Sequence, residues 1–322
     1  MPAGRAPWAG VRDVHNPPIR PERSSLSRRA TYSEQAQAIH SRDATRSQTQ
    51  MRPSFGSPPV EVVRDVAFAS PPERPLSLDV YRPAGGSSAR RALVVLLHGG
   101  GWHAGDRRDL TQVALSLAER RFACAVPDFR SSREATFPAA IRDVKAAIRW
   151  CRAHADAVGV TPDRVATFGP STGAHLAVLA ALTGDDSRLA PDPSHVSDAV
   201  ADASDAVAAT VGVGGLYNFE HTPDRAELTA FLGGSRSDVP ERYELASPST
   251  HLDGGGPPTL LLHGGDDDVL PAMASELFYD GLEDAGVDAE CVVADGVGHR
   301  VLDEQFDWVL DWSEGFLDRH LR

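Results

Sequence analysis

The chain has 322 residues, 41% hydrophobic and 24% charged, with a formal net charge of −13, a composition that excludes a fibrous or wholly disordered protein and fits a soluble globular one. Its unbroken aliphatic runs, such as Ala92 to Leu97, fall far short of the roughly 20 apolar residues that span a bilayer, so no transmembrane helix is expected. Charge is unevenly placed: residues 1–59 hold nine Arg against four acids, net +5, and residues 60–322 carry −18, an acidic body that repels phosphate backbones and excludes nucleic acid as a partner.

Taken in chain order, residues 1–59 hold eight Pro and eight Ser with little apolar periodicity and read as a disordered basic tail. Neither the Arg28-Arg29 pair nor the extreme N-terminus is followed by an apolar stretch, so no export signal is expected. From Val60 the pattern alternates. Strands are predicted at Glu61–Ala69, Leu76–Tyr81, Ala92–Leu97, Phe122–Val126, Val165–Phe168, Val207–Val213, Thr259–Leu262 and Ala289–Val293. Helices are predicted at Leu110–Arg120, Ala139–Ala155, Thr172–Leu182, Ala272–Ala285 and Asp303–Leu317. Strands alternating with helices of this length predict one α/β domain over 60–322, a doubly wound, mostly parallel sheet with helices on both faces. Asp185–Asp205 reads as an acidic, turn-rich excursion and Asn218–His251 as helical decoration over the sheet edge. The three cysteines, Cys124, Cys151 and Cys291, fit neither a disulfide framework nor a C-x-x-C site, and predict a reducing, cytoplasmic compartment.

Gly169-Pro170-Ser171-Thr172-Gly173 lies between a predicted strand and a predicted helix, the setting in which G-x-S-x-G makes a nucleophile elbow. Small residues are needed there because a tight strand-to-helix turn crowds its neighbours around a strained serine. Ser171 would then stand above the sheet, with the Thr172 N–H at a helix N-terminus facing any oxygen that becomes negative. His98-Gly99-Gly100-Gly101-Trp102 follows the buried strand and bares backbone N–H groups, the other half of an oxyanion hole; His98 is expected to be structural and Trp102 to wall the substrate pocket. Twelve histidines compete for the role of base. His299, in a Gly-rich loop after the last predicted strand, can reach the top of the sheet and is chosen; His175, one helical turn past Ser171, is expected to be structural. The acid follows the penultimate strand, where Asp266, Asp267 and Asp268 are three consecutive carboxylates, in the chain order Ser, Asp, His.

On these segments, with Phe137–Val144, the chain from Val60 onward resembles the esterase/lipase group of the α/β-hydrolase fold, nearest its hormone-sensitive-lipase-like and bacterial feruloyl-esterase-like branches. The resemblance implies Asp267 as the acid, four residues after His263 and four before Pro271. It also implies Gly100, Gly101 and Thr172 as oxyanion donors. Thr172 and Ala174 are bulkier than the residues usual in these branches and are expected to narrow the pocket or slow the enzyme. With only about forty residues between Val60 and His98, a full N-terminal helical cap is not expected. The resulting expectation is a serine hydrolase acting on small-molecule carboxylic esters, with no metal or cofactor. Its rivals are an amidase of the arylformamidase or peptidase kind and a non-catalytic ligand-binding protein of the same fold. Oligomeric state is not legible in the sequence.

Overall fold

Alternation within one short apolar run sets the layering. In the strand Arg91–Leu96, Leu93 and Val95 face one core and Val94 and Leu96 the other, because successive side chains of a strand point to opposite faces. A strand buried on both sides must lie inside a sheet covered by helices twice over. The computed structural model describes residues 59–84, 91–223 and 225–321, and shows this arrangement. The predicted basic tail lies outside the described residues, save Pro59.

Eight strands, β1 (Val60–Ala69), β2 (Leu76–Pro83), β3 (Arg91–Leu96), β4 (Ala123–Pro127), β5 (Val160–Pro170), β6 (Ala209–Val213), β7 (Thr259–Gly264) and β8 (Ala289–Ala294), form one sheet in the order β1-β2-β4-β3-β5-β6-β7-β8. The β1–β2 and β2–β4 pairings are antiparallel and the rest parallel. The longer helices are α1 (Thr111–Glu119), α2 (Ala139–Ala153), α3 (Thr172–Leu182), α4 (Ala226–Leu232), α5 (Pro240–Ala246), α6 (Met273–Asp284) and α7 (Phe306–Leu321). Ile141, Val144 and Ile148 of α2 and Leu176 and Leu179 of α3 pack on one face. Val113 and Leu117 of α1 and Leu310, Phe316 and Leu317 of α7 pack on the other. Apolar on every side, α3 is buried almost throughout, as a helix without a polar face must be.

β3 lies between β4 and β5, so the chain winds outward in opposite directions from it. The connections leaving the carboxyl ends of β3 and β5 therefore run to opposite sides, the switch point at which such sheets bind ligands. All eight predicted strands are present, with β5 starting at Val160 instead of Val165 and the last helix reaching Leu321. One placement needs correction. The helical segment after Asn218 does not decorate the sheet edge: its Phe219 and Phe231 pack on Trp102 and His175, and Phe231 also on Phe137, roofing the loop after β3, because large apolar partners for those rings stand there. No helix among the described residues is long and apolar enough to cross a membrane.

Candidate active site

β5 ends at Pro170 and α3 begins at Thr172, leaving a single residue for the turn. Ser171 makes it at φ 52°, ψ −120°, a sparsely populated backbone for a residue with a side chain, held only because its surroundings over-determine it. Its N–H donates to the Val213 carbonyl at 2.7 Å and its own carbonyl accepts from the N–H of Ala174 at 2.9 Å. The flanking glycines are required by close approach, since a Cβ on Gly173 would collide with the Leu97 carbonyl and one on Gly169 with the backbone of Gly173.

The loop after β8 brings His299 over this serine. Ser171 Oγ lies 3.1 Å from His299 Nε2, and His299 Nδ1 lies 2.7 Å from Asp267 Oδ2. Of the three consecutive acids, Asp266 and Asp268 are exposed, while the Asp267 side chain is fully buried. Burial alone would raise the Asp267 carboxyl. Hydrogen bonds from His263, from the Leu270 N–H and from His299 overcome it and hold the group well below the usual carboxylate range. Oδ1 accepts from the N–H groups of Val269 and Leu270 at 2.9 and 2.8 Å, and Oδ2 also meets His263 Nε2 at 3.1 Å.

The loop after β3 abuts the elbow: a Cβ placed on Gly99 would stand 3.4 Å from Ser171 Cβ. Gly100 has φ 118°, and a Cβ there would strike the Ala104 carbonyl, so only glycine fits. Among the described residues, no backbone carbonyl accepts from the N–H of Gly100, Gly101 or Thr172. His98 stacks on Phe129 at 4.2 Å, with its Nδ1 2.8 Å from the Gly99 carbonyl. Trp102 is 8% exposed and lines a hollow of about 360 Å³ with His98, His103, Arg107 and Asp128. Most of its ring packs on Phe219 and Phe231, and its indole N–H donates to His175 Nδ1 at 3.1 Å. His175 Nε2 donates in turn to the Ala246 carbonyl at 2.8 Å, joining α3, the loop after β3 and α5.

Ala174 corrects an expectation. It does not narrow a pocket, because it points into a buried cluster with Val178, Tyr217 and Leu261, the third residue of a helix turning inward from the elbow. Nothing in the sequence marks His263 as a partner of the acid; only its contacts separate it from a core histidine.

An antiparallel pair leading into a parallel sheet, a strained serine between strand and helix, and a histidine and a buried carboxylate delivered by the last two strand-end loops define an α/β-hydrolase. The family model BD-FAE matches residues 78–282, and the chain belongs to that family. It is 35% identical over 214 residues to esterase LipQ of Mycobacterium tuberculosis, an alignment covering 65% of this chain and 50% of LipQ. The chain spans about half the length of the curated relatives it matches. Among solved structures, a truncated carbohydrate esterase from gut microbiota has a TM-score of 0.71 at 25% identity, with 84% of this chain and 99% of that one covered. Thermogutta terrifontis esterase 2 phosphoramylated by tabun has a TM-score of 0.68 at 26% identity, with 84% and 97% covered.

Proposed function

We propose that this protein hydrolyses carboxylic esters of small molecules through an acyl-enzyme on Ser171. The observation that carries the reading is the unbroken contact chain from Ser171 Oγ through the His299 ring to Asp267 Oδ2, at 3.1 and 2.7 Å. His299 Nε2 takes the hydroxyl proton as Ser171 Oγ attacks the acyl carbon, and returns it to the leaving alcohol oxygen. Asp267, held ionised by four donors, accepts from His299 Nδ1–H and stabilises the imidazolium formed in that step. The Gly100, Gly101 and Thr172 N–H groups receive the oxyanion, which the α3 N-terminus also favours. Water activated by His299 then resolves the acyl-enzyme. Cytoplasmic residence is part of the same proposal, supported by Cys124 and Cys151, which are buried as thiols, with burial pushing the Cys151 thiol up to about 12.

With p-nitrophenyl acetate the enzyme is expected to release a burst of p-nitrophenol, and a fluorophosphonate is expected to label Ser171 alone. Ser171→Ala and His299→Ala should each lower kcat/KM by several decades, on the order of 10⁵-fold. Absence of turnover with intact folding would favour the ligand-binding rival. Faster turnover of aryl formamides than of esters would favour the amidase. Label on another serine would sink the site assignment.

A further inference from the structure

Two histidines converge on one oxygen of the buried acid. Asp267 Oδ2 lies 2.7 Å from His299 Nδ1 and 3.1 Å from His263 Nε2. His263 is fully buried on β7, and Asp267 follows four residues later in the loop. The same Nε2 lies 2.8 Å from the Leu270 carbonyl. Both neighbours only accept, so Nε2 carries a proton. Nδ1 faces Ser275 Oγ of α6 at 2.7 Å, a hydroxyl free to donate to it. Asp267 and the Leu270 carbonyl thus select the tautomer, for a ring with its proton on Nδ1 would turn a bare Nε2 lone pair toward a carboxylate and a carbonyl, and the Ser275 hydroxyl accommodates that choice by donating to Nδ1.

We infer that His263 is a positioning residue for the proposed ester hydrolysis, fixing the Asp267 carboxylate so that Oδ2 meets the His299 ring in the orientation that delivers Nε2 to Ser171. The inference rests on reading Asp267 as the acid of a Ser-His-Asp set. Its physical content is rotational. The Val269 and Leu270 N–H groups hold Oδ1, and a single donor on Oδ2, from a ring that must itself move during proton transfer, leaves the carboxylate to follow that ring. His263, clamped between α6 and the loop, supplies the stationary second donor. A static partner behind the acid keeps the geometry ready between turnovers, which is where a misalignment well under an ångström lowers rate without weakening substrate binding.

The test compares His263→Leu, which removes the donor, with His263→Gln, which returns an N–H near the position of Nε2, and includes Asp267→Asn. With p-nitrophenyl acetate, His263→Leu is expected to lower kcat roughly 10- to 100-fold with KM within about twofold, the scale on which loss of an orienting partner acts. His263→Gln should recover most of that loss. The downfield proton resonance of His299 Nδ1–H should broaden or shift upfield in the leucine variant and return in the glutamine variant. A folded His263→Leu with wild-type kcat overturns the inference. So do equal losses in both variants at matched melting temperatures, which would mean that the ring acts only as packing. Should the leucine variant not fold, His263→Met, which also lacks the donor, carries the test: its kcat falls at least several-fold below that of His263→Gln, and an unchanged kcat overturns the inference. Full activity in Asp267→Asn would overturn the triad reading itself, and this inference with it.

Discussion

Asp266, Asp267 and Asp268 are chemically identical in the sequence and differ only in what surrounds them. The outer two are exposed, whereas Asp267 is buried under donors from His263, His299, Val269 and Leu270. An amide at Asp267 keeps the shape but loses the charge that stabilises imidazolium, and its NH₂ would face donors on both sides. Asp267→Asn is therefore expected to lower kcat by roughly 10³- to 10⁴-fold, the scale of carboxylate-to-amide change in a triad. Asp266→Asn and Asp268→Asn should stay within about twofold. Steady-state kinetics of the three folded variants decides between this register and any other.

Elements are tied together by buried polar groups whose pairing no local pattern announces. Lys145 of α2, fully buried, donates to Asp205 Oδ1 at 2.8 Å, and Arg149 Nε, one turn on, donates to Asp205 Oδ2 at 2.7 Å. The predicted acidic excursion thus supplies the counter-charge for the sequence's single lysine. Asp205→Asn strands two cations around a neutral amide and is expected to cost about 3–5 kcal/mol, read as a lowered urea midpoint with an unchanged slope. His175 clamps α3 to Trp102 and to Ala246, and burial lowers its imidazole to about 4. The unfolded chain takes up this proton near 6.5, so as pH falls from 7 to 4.5 the unfolded state gains protons that the fold refuses, and stability drops. About 2 kcal/mol of that loss is assigned to His175. A His175→Gln variant should show correspondingly less acid sensitivity in urea melts at the two pH values.

Across the whole molecule the charge of −18 over residues 60–322 leaves acids in excess after pairs such as Arg130 with Asp143 and Arg107 with Asp128 are formed. Those pairs are short-range and partly buried, so salt weakens them little. The unpaired excess repels over distances comparable to the Debye length of about 10 Å at 0.1 M, which shrinks to about 3 Å at 1 M. The melting temperature is expected to rise between 0.1 and 1 M KCl. A fall measured by calorimetry would mean that attractive surface pairs outweigh the net repulsion.

The sequence by itself determined the fold class and most of the candidate site. The alternation of short apolar runs with helical stretches is a local consequence of side chains pointing to two faces of a sheet. The motifs around Ser171, Gly100 and His299 are likewise local, because a tight turn or a bared backbone demands particular residues at adjacent positions. Tertiary structure decided what depends on partners far apart in the chain. It buried Asp267, which the sequence reaches only through the family resemblance, directed Ala174 into the core, and brought the segment after Asn218 over Trp102. It set His263 behind the acid and Asp205 beside Lys145, 60 residues away. A buried polar group is stable only beside the group that satisfies it, and that partner is known only once the chain has folded.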